Sequence, residues 1–337
     1  DVNKGEYYIL TYDEEKTCTG TTLFTDNREG EEKIVEIDME GNTVWEYSVP
    51  EEIHALEDPI IGLAPGFDAE LLENGNILIE YPKIGVYEMT REGEVVWFFQ
   101  DTEISHDADL LENGNILYAF SGDGDKTSAQ VKEVTREGEI VWEWHAIDWF
   151  NEEPWNLIQR AKSEKENSQG DWLHVNAVQR LDDGTTLISP RNFDITIIVD
   201  ETGKPIWTQE WGSLSSLEGD DAITYVGFDP HEPYVTEEGT VLTCLQRASP
   251  NQAVEIDKDT REILWSYARD GLQTARDCDR LENGNTLITA AIKGEYREST
   301  IFEVTSEGEI VWELRIKDTP VEDSPGIFYK AERYCEL

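Results

Sequence analysis

Three of the five histidines and a few arginines are the residues best suited to chemistry in this sequence. His106 and His231 lie eight residues, and His174 ten residues, before a glycine in a recurring turn-like segment. Imidazole can act near neutral pH as a nucleophile, a general acid–base or a metal ligand. Arg191 follows one of these glycines by seven residues. A guanidinium beside imidazoles favours an anionic ligand such as sulfate, phosphate or carboxylate.

Metal binding and nucleotide binding are the alternatives to this anion site. Three histidines could bind zinc or copper, but a nearby arginine adds positive charge where the metal already supplies it. The stretch SGDGDK (121–126) hints at a calcium loop and lacks its closing glutamate. No GxxxxGK[ST], GxGxxG or GxSxG motif is present. We therefore expect no metal and no cofactor, and structural roles for His54 and His145.

A repeated segment must position these side chains. Each copy reads as a short strand, a turn centred on Asn-Gly or an analogue, and a second strand, which predicts a β-hairpin. Five copies are clear, and CTGTTLFTD is a weaker sixth. The copies span residues 71–81, 110–120, 180–190, 235–245, 280–290 and 18–26.

A tryptophan follows each turn glycine by 22 to 28 residues, in a second hairpin-like stretch. Four strands per unit in six units predict a six-bladed β-propeller of antiparallel blades, one domain over 1–337. A β-solenoid is the alternative, although its repeats are usually shorter. The strand-like segments 5–12 and 326–334 predict closure by pairing of N- and C-terminal strands, with a Cys18–Cys335 disulfide at that seam.

The first strand of each blade lines the channel of a propeller, so the residue eight before each turn glycine should begin such a strand. These residues should converge: Tyr12, Phe67, His106, Asn176, His231 and Arg276. The returning strands add Arg191 and Arg247. Two long connections, 144–173 and 212–229, are expected to cap the site, and Trp172 in the first can stack on an aryl ring.

The charge balance excludes some partners. The 27 Lys+Arg residues against 73 Asp+Glu residues give a net charge of −46. Nucleic acid would be repelled, and no apolar run is long enough to span a membrane. Self-repulsion at this density is screened only in concentrated salt, which predicts a halophilic source. A cationic pocket in so acidic a chain points to an anionic ligand.

Several stretches resemble the arylsulfotransferases of the bacterial and archaeal type. They are HDADLLENGNIL (106–117), DWLHVNAVQRLDDGTTLISPRN (171–192) and HEPYVTEEGTVL (231–242). Members of that family are six-bladed propellers that move a sulfuryl group between phenols without a nucleotide donor. The resemblance implies that His231 attacks the donor and becomes transiently sulfated, while His106, His174 and Arg191 hold the sulfuryl group. The bacterial members carry an extra N-terminal β domain that this sequence lacks, so the oligomeric state is open.

The expected function is an aryl-sulfate sulfotransferase with ping-pong kinetics, acting on an aryl sulfate and a phenol. The substrate would be held by Asn176, Arg276, Arg247 and Trp172, together with Phe67 and Tyr12 in the channel. A non-catalytic binding or adhesion propeller with an anion site is the alternative, and a hydrolase or lyase on the same site is a third. An extracellular or cell-surface location is expected, with a membrane anchor outside the given chain as an option.

Overall fold

The computed structural model describes residues 7–28, 32–48, 68–82, 84–120, 125–152, 155, 172–216, 223–248, 250–293, 297–317 and 328–336. Within these ranges nearly every element is a strand, as the hairpin segments predict. The exceptions are one helical turn, α1 (Ile147–Phe150), and a 3-10 turn (Arg191–Phe193). The strands in chain order are β1 (Tyr7–Tyr12), β2 (Gly20–Asp26), β3 (Lys33–Ile37), β4 (Thr43–Ser48), β5 (Asp68–Leu71), β6 (Ile77–Tyr81), β7 (Gly85–Met89), β8 (Val95–Gln100), β9 (Ile104–Leu110), β10 (Ile116–Phe120), β11 (Val131–Val134), β12 (Ile140–Trp144), β13 (Val175–Arg180), β14 (Thr186–Pro190), β15 (Ile195–Val199), β16 (Pro205–Glu210), β17 (Ser213–Ser216), β18 (Ile223–Val226), β19 (Pro230–Val235), β20 (Thr240–Leu245), β21 (Gln252–Asp257), β22 (Ile263–Tyr267), β23 (Leu272–Arg280), β24 (Thr286–Lys293), β25 (Arg297–Val304), β26 (Ile310–Lys317) and β27 (Phe328–Cys335).

These strands form six blade sheets, which confirms the prediction of a six-bladed β-propeller. The first blade has the order β27-β2-β3-β4, and the second has β5-β6-β7-β8. The third and fourth run β9 to β12 and β13 to β16, and the fifth runs β19 to β22. The sixth blade has five strands in the order β23-β24-β25-β26-β1. The first strand in each order is called the inner strand below.

The inner hairpins of five blades close on the turns that the glycines predict. At Gly75 the backbone has φ 83°, and its N–H donates to the Leu72 carbonyl at 2.8 Å. A Cβ added there would meet nothing within 4 Å. The left-handed backbone, and not crowding, therefore accounts for glycine at this position. The same bond recurs at Gly114, Gly184, Gly239 and Gly284.

The first blade is built differently. The expected sixth hairpin at 18–26 is wrong, because β2 pairs with β27 from the other end of the sequence and not with a preceding strand. Gly20 opens β2 opposite Cys335 and is not a turn residue. Strand β1 instead joins the sixth blade, where Tyr12 pairs with Trp312 on β26. The N-terminal strands thus pair with the C-terminal strands, as the closure prediction requires.

A disulfide joins Cys18 to Cys335, with their Cα atoms 5.5 Å apart, which confirms the predicted pairing. It lies at the end of the β2–β27 pair, where the other blades have a continuous turn. Beside it the Glu336 N–H donates to the Thr19 carbonyl at 2.7 Å. The disulfide and this bond therefore replace the missing turn.

In five blades, the tryptophan of the fourth strand forms a hydrogen bond with the next blade. Trp45 on β4 donates its indole N–H to the Arg91 carbonyl at 2.8 Å. The Arg91 guanidinium lies 5.0 Å from the Trp45 ring centroid and pairs with Glu36, the cross-strand neighbour of Trp45. Similar indole-to-carbonyl bonds join Trp97 to Arg136, Trp142 to Glu201, Trp265 to Ser306 and Trp312 to Met39. Each is a neutral hydrogen bond of about 1 kcal/mol with an added cation–π contact.

By its internal packing the chain divides into two compact units. Unit 1 comprises residues 1–79, 89–95 and 236–337, and unit 2 comprises residues 80–88 and 96–235. In unit 2 the inner strands β9, β13 and β19 pack side by side, and in unit 1 the inner strands β23, β27 and β5 do so. Each unit buries its own apolar cluster, which includes Phe193 in unit 2 and Phe328 in unit 1.

The two long connections are partly described. In the first, α1 packs Phe150 against Phe193, with ring centroids 5.7 Å apart, and Trp155 lies 5.6 Å from the same ring. In the second, β17 and β18 form a hairpin. Their expected capping role stays a prediction. None of the helices in the described ranges has the length and apolarity to cross a membrane.

Candidate active site

The inner strands of unit 2 are irregular where the candidate residues lie. In β9, Ala108 pairs with Tyr118 and Ile104 with Phe120, so β9 has two extra residues around His106. His106 adopts a left-handed φ of 69°. In β13, one extra residue lies between Val175 and Val178. Bulges of this kind redirect side chains and are common beside active sites.

His106 and His174 form a ring pair. Their ring centroids are 4.5 Å apart, with the planes inclined by 48°. His174 precedes β13 and has a left-handed φ of 53°, a conformation that costs a non-glycine residue about 1–3 kcal/mol. The adjoining strands are tied together by Asp107, whose Oδ2 accepts the Val178 N–H at 2.7 Å. Two imidazoles this close can both reach one small ligand.

Arg191 joins this pair from the turn after β14. Its backbone N–H donates to the His174 carbonyl at 3.3 Å, so the 3-10 turn is anchored to the histidine. Its guanidinium Nη2 donates to Asp229 Oδ2 at 3.0 Å. The arginine side chain is 19% exposed and the Asp229 side chain is 1% exposed. The guanidinium is thus held in one direction by a buried carboxylate.

His231 lies on β19 and is buried, with 4% of its surface exposed. Its Nδ1 is 3.6 Å from Glu232 Oε1. Asn176 on β13 donates its Nδ2–H to the Pro230 carbonyl at 3.1 Å, which fixes the start of β19. The Oδ1 atom of Asn176 is buried without a hydrogen-bond partner among the residues that the structure describes. That acceptor is therefore available to a ligand or a water.

The structure thus assembles five predicted residues on neighbouring elements of unit 2: His106, His174, Asn176, Arg191 and His231. Trp172 is also in unit 2 but lies in its apolar cluster, 7% exposed. Its ring lies 5.6 Å from Phe193, and the Lys126 ammonium lies 5.0 Å over it. Its stacking on a substrate stays a prediction.

The other predicted residues are in unit 1 or outside the described ranges. The expectation that Tyr12 begins an inner strand is wrong, because β1 is the edge strand of the sixth blade and β27 supplies the inner strand of the first. Arg276 on β23 is 8% exposed, and its guanidinium lies 5.1 Å over the Tyr329 ring. Arg247 is exposed after β20. Phe67 and His54 fall outside the described residues.

The remaining histidine is not part of this group. His145 Nδ1 lies 2.9 Å from the Thr127 carbonyl, and its Nε2 lies 3.8 Å from Glu143. These contacts agree with the structural role expected from its position in the sequence. His145 therefore serves as a control histidine in the experiments below.

The inner strands of unit 1 carry a cluster of buried carboxyl groups. Burial raises the pKa of Asp277 on β23 and of Glu332 on β27 to about 7, and it raises the pKa of Asp279 well above its usual value. Lys330 Nζ pairs with Asp68 Oδ2 at 2.9 Å and opposes these shifts in part. In the described ranges no group of three or more His, Cys, Asp or Glu residues is arranged to hold a metal ion.

Asp229 and Asp194 belong to this site, although the sequence pattern does not predict them. Asp194 accepts the Asp229 N–H on its Oδ1 at 2.6 Å, and both residues are buried with left-handed φ angles of 54° and 48°. No motif distinguishes these two from the other acidic residues, of which the sequence has 73 in all. One signal is positional: Asp229 precedes its turn glycine by ten residues, as His174 does.

Solved structures with a similar fold include a protein of unknown function from Bacteroides caccae. It is 16% identical, with a TM-score of 0.59, and the match covers 93% of this chain and 98% of that chain. A virginiamycin B lyase from Staphylococcus aureus matches at 11% identity and a TM-score of 0.46, over 93% of this chain and 100% of that chain. At such identities the likeness concerns the fold alone. No curated protein sequence matches the chain significantly.

Family models give a closer assignment. One model of the arylsulfotransferase (ASST) family matches residues 7–216, and a second model of the same description matches residues 122–317. The first match alone spans more than half of the sequence and contains His106, His174 and Arg191. The second includes His231. The chain therefore belongs to the arylsulfotransferase (ASST) family of sulfotransferase enzymes.

Proposed function

We propose that this protein moves a sulfuryl group from a phenolic sulfate ester to a phenolic acceptor through a covalent intermediate on His231, without a nucleotide donor. The observation that carries the proposal is the grouping in unit 2 of the His106–His174 ring pair, Arg191 and the buried His231. A fixed guanidinium and paired imidazoles suit a singly charged sulfuryl oxyanion.

In the first half-reaction, a nitrogen of His231 attacks the sulfur of the donor. The N–S bond forms as the bond between sulfur and the aryl oxygen breaks, and the phenolate leaves with that electron pair. Sulfuryl transfer resembles phosphoryl transfer, so the transition state is loose and catalysis rests on positioning and fixed positive charge. Arg191 and the ring N–H groups of His106 and His174 supply donors to the sulfuryl oxygens.

Glu232 suits His231 to this role. Sulfation leaves positive charge on the imidazole ring, and Glu232 Oε1 lies 3.6 Å from its Nδ1. In a buried site that Coulomb attraction is stronger than it is in water. The carboxylate beside Nδ1 therefore favours Nε2 as the attacking nitrogen. Burial of His231 also limits access of water, which would hydrolyse the intermediate.

In the second half-reaction, the acceptor phenol attacks the sulfohistidine sulfur and the N–S bond breaks. One histidine protonates the departing phenolate in the first half and removes the acceptor proton in the second. We assign this acid–base role to His174, because its ring is adjacent to His106 and its carbonyl is bonded to the Arg191 backbone. Because the donor product leaves before the acceptor reacts, the kinetics are ping-pong.

The proposal extends to the surroundings of the protein. The Cys18–Cys335 disulfide supports an extracellular or cell-surface location, since such bonds persist in oxidising compartments. The net charge of −46 supports a halophilic, archaeal source, since dense acidic surfaces are stable in screened solution. A membrane anchor outside the given chain is compatible with this location.

Intact-mass spectrometry after mixing with p-nitrophenyl sulfate in multi-molar salt tests the proposal. We expect a sulfuryl-sized adduct on the parent protein and on His145→Ala, and none on His231→Ala. Double-reciprocal plots against donor and acceptor should give parallel lines. A protein that releases no nitrophenol and forms no adduct would refute the enzyme and favour the non-catalytic binding propeller. Continued turnover to nitrophenol without an acceptor, beyond the single release that forms the adduct, would favour a hydrolase or lyase.

A further inference from the structure

Asp229 connects the two residues that the proposed function depends on most. Its Oδ2 accepts a hydrogen bond from Arg191 Nη2 at 3.0 Å, and its side chain is 1% exposed. His231 follows two residues later, at the start of β19. A buried, charged acceptor restricts the direction of a guanidinium more than a neutral one does. The side chain of Asp229 therefore acts on Arg191, while its backbone leads into His231.

The backbone of Asp229 is in an unfavourable conformation. Its φ is 48°, and the next residue is Pro230. Residues before proline favour extended conformations, and non-glycine residues rarely adopt the left-handed region. Two bonds hold this arrangement: the Asp229 N–H donates to Asp194 Oδ1 at 2.6 Å, and the Pro230 carbonyl accepts from Asn176 Nδ2 at 3.1 Å. Strain that is held in this way on either side of a residue is typical of functional sites.

Asp194 is itself firmly anchored. It is fully buried, it ends the 3-10 turn that begins at Arg191, and its carbonyl accepts the Trp211 N–H at 2.7 Å. The turn that carries Arg191 therefore also carries the acceptor for the Asp229 N–H. Arg191, Asp194 and Asp229 form a closed set of contacts, in which the arginine turn and the start of β19 fix one another.

We propose that Asp229 is a positioning residue for sulfuryl transfer, which orients Arg191 through its carboxylate and sets the place of His231 through its left-handed backbone. This inference rests on the proposed function. Asp229 does not contact the sulfuryl group in this arrangement, since a carboxylate would repel the anion. It also compensates the charge of Arg191, so the arginine contributes directed donors more than net positive charge.

Steady-state kinetics with p-nitrophenyl sulfate and a phenol acceptor test the coupling. Asp229→Asn keeps the shape and removes the charge, and we expect kcat to fall about 10- to 100-fold with little change in KM. Arg191→Gln should raise KM and lower kcat. In the Arg191→Gln background, Asp229→Asn should cause no further loss. The proposal would be overturned if the fold-losses in kcat of the two single variants multiplied in the double variant. It would also be overturned if Asp229→Asn kept the kcat of the parent.

A matched control separates this role from a general loss of buried ion pairs. Asp101 also pairs with a cation, Lys132, at 3.5 Å, and it accepts the Tyr118 hydroxyl at 2.9 Å. Asp101→Asn should lower stability and leave kcat unchanged. If Asp229→Asn fails to fold, Asp229→Glu replaces it. That variant keeps the charge and displaces it by one methylene, and it should show the same fall in kcat.

A second measurement does not depend on turnover. The guanidinium N–H signals of Arg191 in NMR spectra can be assigned by their loss in Arg191→Lys. In the parent protein these hydrogens should be protected from exchange with water. They should shift and exchange faster in Asp229→Asn and remain unchanged in Asp101→Asn. A parent protein without turnover would refute the proposed function while these signals still tested the positioning. Arg191 signals unaffected by Asp229→Asn would overturn the positioning itself.

Discussion

The buried carboxyl cluster of unit 1 should make the protein less stable as the pH rises through neutrality. Burial raises the pKa of Asp277 from 3.8 to about 7. A raised carboxyl pKa means that the folded state binds the proton more tightly than the unfolded state does. The resulting stability is fully present below pH 4 and is lost as the pH rises through 7. Asp277→Asn removes this dependence, because the amide stays neutral at every pH.

The size of the stability change follows from the difference between the two pKa values of Asp277, 3.8 in the unfolded state and about 7 in the folded state. Each pH unit between the two pKa values corresponds to about 1.4 kcal/mol, so the change for Asp277 is about 4 kcal/mol. Unfolding entropy of ~2.1 cal/mol/K per residue over 337 residues converts this to about 6 °C in Tm. Glu332 and Asp279 share the cluster, so their ionisation adds to the total in a dependent way and not as a simple sum.

Thermal unfolding followed by circular dichroism at fixed high salt, from pH 5 to pH 8.5, measures the difference. About two of the pH units between the two pKa values lie within this range, so we expect the Tm of Asp277→Asn to gain about 4 °C on the parent between pH 5 and pH 8. Asp200→Asn is the control of opposite sign, because hydrogen bonds from Thr202 and Lys204 lower the pKa of that carboxyl. It should destabilise the protein at pH 8. A constant difference between Asp277→Asn and the parent across the range would refute the reasoning.

Three further outcomes are expected. Cys335→Ser should lower the free energy of unfolding by about 5 kcal/mol, because the Cys18–Cys335 bond closes a loop with a sequence separation of 317. A reductant should destabilise the parent by a similar amount and leave the variant unchanged. Trp142→Phe should cost about 1–2 kcal/mol in denaturant unfolding through loss of its bond to the Glu201 carbonyl and its contact with Arg180, whereas an unchanged midpoint would show the contact to be neutral. Raising KCl from about 0.1 M to about 1 M shortens the Debye length from ~10 Å to ~3 Å and should raise Tm, so a flat or falling Tm would contradict the screening argument.

The repeat itself could be predicted from the sequence because its signals are local. A left-handed turn such as that at Gly75 requires glycine, and the Trp45 indole needs a fixed partner on the next blade. Both requirements recur with the blade and therefore appear as periodic residues. The position of the Cys18–Cys335 bond also followed, since closure must bring the two ends of the repeat together.

The first blade was mispredicted because its hairpin is not continuous in the sequence. Tyr12 precedes Gly20 by eight residues, as His106 precedes Gly114, yet the intervening chain crosses from the sixth blade to the first. Pairing between β2 and β27 depends on the whole fold, because it joins the two ends of the sequence. A rule based on local spacing therefore does not predict it. Arg276 does lie on the inner strand β23, as its spacing predicts, but its contact with the Tyr329 ring on β27 depends on chain ends that a local rule does not relate.

The histidines of the candidate site could be predicted from their residue type and spacing. The buried aspartates that hold Arg191 and the start of β19 could not. Histidines are scarce here, so three in register stand out, whereas Asp194 and Asp229 are hidden among 73 acidic residues. Their role follows from burial and from left-handed backbone angles, which tertiary contacts impose. Those contacts become visible only when β13, β14 and β19 are placed together.

The bond between Cys18 and Cys335, which have a sequence separation of 317, makes the chain between them a covalent circle. A protease that cuts one peptide bond inside this circle opens it and releases no fragment. The nicked protein would still run as one molecule on a non-reducing gel and would separate into two pieces only after reduction. After a single cut, both new chain ends remain covalently attached to the rest of the molecule through the disulfide. Under limited proteolysis, the molecule would therefore lose a fragment only at the second cut within the circle.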